Sequence, residues 1–187
     1  MTERPERRPH AREATPVDLV TAAAWVTTAA ECQRWAGPDI TFPVEQAALM
    51  REAEFGAGRD VALEDDAGVV AFGQVLPKEG GRMHLARVIV RPDARGRGVG
   101  RALVEALLAR AGESGAALVT LNVYRDNTAA IGLYTDLGFR RSRRPGHDTS
   151  SSSSVPMELR IGRWRPEPAG GRSLTRPVGS RGPGARS

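Results

Sequence analysis

With 187 residues, 40% of them apolar, the chain has material for one domain with a core of its own and no room for a second. Its formal charge of +5 sits at the ends: residues 162–187 hold six arginines and one acid, residues 1–12 four arginines and two acids, which leaves −2 on residues 13–161. That distribution argues against a specific nucleic-acid partner, no apolar run approaches the ~18 residues of a membrane span, and the single Cys32 excludes an internal disulfide and suits a reducing cytoplasm.

Residues 1–8 read as a flexible arm, since no apolar core of about 7–15 residues follows them as in a secretion signal. Residues 10–14 suit a first strand. Thr15-Pro16-Val17-Asp18 then opens a helix, with a hydroxyl at the N-cap, proline at the first helical position and an acid in the first turn. Leu19, Ala23, Val26 and Ala30 continue its apolar face. A turn-rich link with Trp35-Ala36-Gly37-Pro38 and Phe42-Pro43 leads to a second helix over about 44–55. Strands are expected over 60–64, 69–76 and 82–91, joined by Asp65-Asp66-Ala67-Gly68 and Lys78-Glu79-Gly80-Gly81 as hairpin turns.

From Val99 the pattern turns helical: Gly100, Leu103, Val104, Leu107, Leu108 and Ala111 form one stripe. A strand over 117–124 and a helix over 126–137 follow, with Gly138 suited to a left-handed C-cap. Residues 139–143 and 155–161 pair as the last strands across a loop holding Ser150 to Ser154. Beyond them, 162–187 is an Arg/Gly/Pro-rich tail with too few aliphatic residues to offset its ordering entropy, and is expected to be disordered.

The segment between the strand at 82–91 and the helix from Val99 carries the chemistry. Glycines at 96, 98 and 100 let the backbone turn tightly and bring bare N–H groups against a ligand, and the helix aims its positive dipole end at the same spot. The natural guest is a diphosphate. A P-loop needs Lys-Ser/Thr after its last glycine, and a dinucleotide fold needs a βα unit upstream and an acid about 20 residues on; neither is present.

Arg95-Gly96-Arg97-Gly98-Val99-Gly100 resembles the Arg/Gln-x-x-Gly-x-Gly/Ala coenzyme loop of the GNAT superfamily of N-acetyltransferases. Asn127-Thr128-Ala129-Ala130-Ile131-Gly132-Leu133-Tyr134, running on to Leu137-Gly138-Phe139, resembles that family's other signature, in the right order and at the right separation. The resemblance covers about residues 9–161. It implies an α/β (α+β) GNAT fold: a mixed, mostly antiparallel sheet of about seven strands flanked by four helices, with a splayed strand pair holding the coenzyme. It further implies transfer of an acetyl group from acetyl-CoA directly to a primary amine of a small molecule or peptide, without a metal. A homodimer stays open, and neither a membrane nor a specific nucleic acid is an expected partner.

The same resemblance assigns residues. Val88, Ile89 and Val90 would offer main-chain groups to the coenzyme, with the Val90 N–H polarising the thioester oxygen. Amides of Arg95, Gly96, Arg97, Gly98, Val99, Gly100 and Arg101 would grip the diphosphate, aided by the three arginine charges. Asn127 would contact the coenzyme from the start of its helix; the plainer reading is a helix cap. Tyr134 would act as general acid at the sulfur, although Ala130, Leu133, Tyr134 and Leu137 also form an apolar stripe that suits a core tyrosine.

For the base, His84 lies four residues before Val88, where histone-type members carry glutamate and arylalkylamine-type members histidine. Alternation puts His84, Ala86, Val88 and Val90 on one strand face, and an imidazole of pKa about 6.5 suits a water relay; the alternative is an ordinary strand histidine. Leu121-Asn122-Val123 replaces the Leu-Glu-Val of many protein-acetylating members, and an amide takes no proton. Glu31, Asp39 and Glu45, with Trp35 and Phe42, would line the acceptor wall or else be surface charge and core. Three rivals remain: a noncatalytic acyl-CoA-binding module, a protein N-terminal or lysine acetyltransferase, and a nucleic-acid binder driven by the tail at 162–187.

Overall fold

The computed structural model describes residues 8–37, 40–56, 59–142 and 153–162. In chain order these form β1 (His10–Glu13), α1 (Pro16–Ala23), α2 (Ala29–Ala36), α3 (Gln46–Glu52), β2 (Val61–Asp65), β3 (Gly68–Lys78) and β4 (Arg82–Val90). A 3-10 turn at Pro92–Ala94 leads to α4 (Val99–Glu113), β5 (Leu118–Tyr124), α5 (Thr128–Asp136), β6 (Arg140–Arg141) and β7 (Ser154–Arg160). The seven strands make one sheet in the order β1-β2-β3-β4-β5-β7-β6, antiparallel throughout except between β4 and β5. Residues 1–7 of the expected arm, residues 150–152 of the serine-rich loop, and residues 163–187 of the tail lie outside the described residues. Among the described residues no helix is long and apolar enough to cross a membrane.

The hairpins form where the turn residues place them. The Asp65 carboxylate accepts the Ala67 N–H at 2.8 Å, Gly68 takes φ +111°, and Gly80 and Gly81 turn β3 into β4 at φ +70° and +68°.

Five helices stand where four were expected, because the first expected helix is two. The Thr28 hydroxyl accepts the Glu31 N–H at 3.2 Å, while the Glu31 carboxylate accepts the Thr27 N–H and hydroxyl at 2.8 Å each. This reciprocal cap starts a new helix at Ala29 and overrides the apolar period that runs on through Val26 and Ala30. Trp35 and Ala36, expected in a link, are the last residues of α2. The helix expected over 44–55 is shorter, since Glu54 takes φ +48° and the carbonyls of Glu52 and Ala53 bond to the Arg87 side chain.

Two cores flank the sheet. On one face α4 and α5 pack through Leu103, Val104, Leu107, Leu108, Ala111 and Tyr134; on the other, α1 to α3 pack through Leu19, Cys32, Trp35 and Leu49 against Phe72. Each buried leucine or valine contributes about 1.5–3 kcal/mol, so the α4 stripe alone fixes that helix on the sheet. The approach is close: a Cβ on Gly73 of β3 would lie 2.7 Å from Leu107 Cδ1.

Candidate active site

Strands β4 and β5 pair only from Arg82↔Leu118 to Leu85↔Leu121. Beyond that point β4 stays with β3 as far as Ala71↔Val90, and β5 stays with β7 as far as Tyr124↔Ser154, so the two strands part. A bulge bends β4 here: Gln74 faces Ala86 and Phe72 faces Ile89, which sets Arg87 and Val88 against the single Gly73, and Arg87 takes φ +51°.

Main-chain direction in the gap follows from the pairing. Arg91 N–H donates to Val70 O at 2.8 Å across Ala71↔Val90, which makes that a non-bonded pair and turns the Val90 amide and carbonyl away from β3, into the gap. The Val90 carbonyl accepts from Arg95 Nε at 3.1 Å. By the same alternation the main chain of Ile89 bonds to Phe72. The expected offer of all three residues is thereby corrected: Ile89 is committed to β3, and the Val90 amide faces the opening.

The loop rises from this edge. Gly96 and Gly98 take φ +75° and +82°, conformations that cost other residues roughly 1–2 kcal/mol. Gly98 is the N-cap of α4 and offers no capping side chain; the first helical bond runs from Ala102 N–H to Gly98 O at 3.1 Å. The N–H groups of Val99, Gly100 and Arg101 therefore have no helical partner and point at the loop. Arg95, Gly96, Arg97 and Gly98 are exposed beside them. Gly100 is in the first turn of α4, as its place in the stripe implies, and a Cβ there would make ordinary contacts with Leu133 Cδ2 at 3.5 Å and Val90 Cγ2 at 3.7 Å. It marks where α4, β4 and α5 converge. The Arg101 guanidinium reaches Glu105 at 3.7 Å and Asp136 at 3.6 Å.

Helix α5 supplies the other wall. Asn127 is its N-cap, with Oδ1 accepting the Ala130 N–H at 3.2 Å, and stays exposed. Tyr134 is 7% exposed and sets its ring edge-on to Phe139, centroids 5.6 Å apart. Its hydroxyl makes no hydrogen bond among the described residues, and burial pushes the phenol up to about 12, so it holds its proton at neutral pH. The ring belongs to the core while the oxygen is left available.

His84 lies on the opposite face. Met83, Leu85, Val88 and Val90 pack toward α4, whereas His84 stands opposite Leu76 and Thr120, on the side of α1 to α3. The expected common face of His84, Ala86, Val88 and Val90 is broken, because the extra residue of the bulge reverses the alternation. His84 Nδ1 lies 2.9 Å from Thr120 Oγ1, which donates to Met83 O at 3.3 Å. The threonine oxygen is then left to accept from Nδ1–H, which makes Nε2 the basic nitrogen.

Helix α2 spans both lips of the gap. Trp35 Nε1–H donates to Arg87 O at 2.9 Å on β4; at the end of β5, Tyr124 OH donates to Gln33 O at 3.3 Å, and just beyond it Arg34 Nη2 meets Asp126 Oδ2 at 2.6 Å. A cleft of about 390 Å³ opens there, lined by Gln33, Arg34, Tyr124 and Asp126 among others. A cavity of about 530 Å³ between Gly80, Arg82, Leu118 and Arg160 holds none of the expected site residues. Of the expected acceptor wall, Trp35 is core and Phe42 is 41% exposed. Glu31 caps α2, Glu45 is exposed at the start of α3, and Asp39 lies outside the described residues. Sequence reasoning missed Arg87, whose left-handed backbone has no local signal in a non-glycine residue. It also missed the start of α2, although Thr28-x-x-Glu31 is a capping-box pattern.

The sequence matches the acetyltransferase (GNAT) family over residues 23–139. Mycothiol acetyltransferase of Nocardia farcinica is 33% identical over 101 residues, covering 54% of this chain and 32% of that protein. L-methionine sulfoximine/L-methionine sulfone acetyltransferase of Pseudomonas aeruginosa is 33% identical over 129 residues, 68% of this chain and 63% of that one. The chain thus spans between a third and just under two thirds of the length of these relatives. The crystal structure of the ribosomal-protein-S18-alanine N-acetyltransferase from Escherichia coli has the same fold, with a TM-score of 0.61 and 25% identity over 89% of this chain and 99% of that one. Among the described residues a seven-stranded sheet is parted between its one parallel pair, an uncapped helix N-terminus stands at the parting, and the family match includes both: this chain belongs to the acetyltransferase (GNAT) family.

Proposed function

We propose that the protein transfers the acetyl group of acetyl-CoA directly to a primary amine of a small molecule or peptide. One observation carries this reading: the Val90 amide is turned to the side on which β4 and β5 part, and the uncapped first turn of α4 adjoins it, with a Cβ on Gly100 falling 3.7 Å from Val90 Cγ2 and 3.5 Å from Leu133 Cδ2 beside Tyr134 of α5. An anionic diphosphate fits there because partnerless N–H groups, a helix dipole and the exposed Arg95 and Arg97 meet at one point.

Acetyl-CoA would supply an activated acetyl group. The amides from Gly96 to Arg101 hold the diphosphate, the Val90 N–H orients and polarises the carbonyl, and Asn127 adds a contact while capping α5. His84 Nε2 takes the amine proton, directly or through water, from the α1–α3 face. Tyr134, at a pKa of about 12, keeps its proton against a thiolate whose conjugate acid lies near 8.5, so it stabilises the departing sulfur by donating a hydrogen bond. The C–S bond breaks as the C–N bond forms: the sulfur leaves as a thiolate and takes its proton from solvent, while His84 returns the amine's proton to solvent, so the step balances.

Asn122, exposed on the His84 face of β5, favours a small amine over a ribosomal-protein N-terminus, since a carboxamide accepts no proton. The methionine-sulfoximine relative supports the same preference. A reducing cytoplasm is the compartment that suits the lone, buried Cys32. Calorimetry with CoA and thiol release from acetyl-CoA across an amine panel test the reading. Binding with turnover on an amine is expected; binding without turnover on any acceptor turns the reading to a noncatalytic module, and no binding removes it.

A further inference from the structure

Arg87 has no role in the transfer described above, yet it sits at the bend of the strand that performs it. It is one of two non-glycine residues with positive φ, at +51°, among the described residues. Its carbonyl accepts the Trp35 indole N–H at 2.9 Å from α2. Its guanidinium donates to Glu52 O at 2.9 Å and Ala53 O at 3.3 Å, the last carbonyls of α3, and to Gln74 Oε1 at 2.9 Å. Gln74 is fully buried and passes the chain on, donating to Ala53 O at 3.1 Å and to Asp60 Oδ1 at 3.0 Å. Asp60, 2% exposed, also accepts the Gly56 N–H at 3.1 Å.

The bulge has to be held, because a left-handed arginine is strained and a regular β4 would cost nothing of the kind. What the bulge achieves is specific. Without its extra residue, Val88 and Val90 would turn their side chains to the α1–α3 face instead of α4. β4 parts from β5 after Leu85, and the bulge at Arg87 lies within the diverging part.

We propose that Arg87 is a positioning residue for acetyl transfer: the bonds it makes to α2, α3 and Gln74 lock the β4 bulge and so aim the Val90 amide into the gap. A cation at the C-terminal carbonyls of α3 is favourable in itself, and here it ties both acceptor-side helices to the strand on which the coenzyme arm lies. Gln74 and Asp60 are buried and Arg87 is half-buried above them, so the lock is anchored in the interior rather than on the surface. Packing on the acceptor side is thereby coupled to main-chain geometry on the coenzyme side.

This inference rests on the transfer reading, and its test separates the two. Arg87→Gly keeps the left-handed backbone without strain and removes the whole side chain, the guanidinium with it. Trp35→Phe keeps an aromatic ring, smaller than the indole, and removes the N–H to the Arg87 carbonyl. With folding verified by thermal melts, Arg87→Gly is expected to lower kcat per folded molecule about tenfold, as small misplacements of a reacting geometry do, while CoA affinity by calorimetry stays within about twofold. Arg87→Lys should recover part of the loss, and Trp35→Phe should lower kcat in the same direction. Wild-type kcat in folded Arg87→Gly, with only a lower Tm, overturns the proposal. If Arg87→Gly does not fold, wild-type kcat in both Arg87→Lys and Trp35→Phe overturns it. Wild-type protein that binds no CoA refutes the transfer reading instead.

Discussion

Replacing Tyr134 by phenylalanine removes one oxygen and keeps the ring against Phe139. Because the hydroxyl has no hydrogen-bond partner among the described residues, no donor or acceptor is orphaned, and stability at pH 7 should change by less than about 1 kcal/mol. The effect on turnover is much larger. A positioned proton or hydrogen-bond donor contributes typically about 10²–10⁴-fold, which is roughly 3–5 kcal/mol of barrier, while CoA affinity should hold within about twofold.

Alkaline pH gives an independent check on the same phenol. Its folded pKa of about 12 lies above the ordinary value near 10, so above pH 10 the unfolded chain gives up this proton while the folded chain keeps it. Stability is therefore lost between pH 10 and 12, by roughly 3 kcal/mol from this group, and Tyr134→Phe should lack that loss. Thiol-release kinetics, CoA calorimetry, urea unfolding at pH 7 and 11, and ultraviolet titration of the tyrosines measure each quantity. Undiminished turnover in the variant refutes the chemical role, and a tyrosine titration unaltered by the substitution at high pH refutes the burial argument.

Three further outcomes follow from particular contacts. His84→Gln should abolish the acidic limb of the pH–rate profile and leave CoA affinity intact; a superimposable profile sinks the proposed base. Gly98→Ala places a side chain at φ +82° and should cost about 1–2 kcal/mol of stability, with CoA binding weakened about tenfold as the cradle deforms. Wild-type CoA affinity in that variant would show that the loop amides do not hold the diphosphate. Gly73→Ala should cost about 1–3 kcal/mol by overpacking and Leu107→Ala about 2–5 kcal/mol by cavity formation, with the double variant milder than their sum. Strict additivity in urea melts would mean that the 2.7 Å approach is relieved elsewhere.

Much of the architecture is local enough to be legible from residues alone. The hairpins follow from Asp65 and from Gly68, Gly80 and Gly81, whose conformations other side chains rarely adopt. The α4 stripe from Leu103 to Ala111 matches its buried face residue for residue. Asn127 caps α5, and Gly138 takes φ +91° beyond its end. Where two local signals competed, the apolar period across Val26 and Ala30 hid the stronger capping pattern at Thr28 and Glu31.

Short-range chemistry, then, determined the turns, the helix stripes, and a glycine loop at the head of a helix, since each depends on a residue and neighbours within a few positions. Only tertiary structure decided that β4 bulges at Arg87, because what holds that strained backbone comes from Glu52, Ala53, Gln74 and Trp35, as far as 52 positions away. That one inserted residue then separates His84 from Val88 and Val90, reserves Ile89 for β3 and turns Val90 to the gap. A period-two alternation cannot anticipate such a change, since one extra residue reverses every side chain relative to those before it.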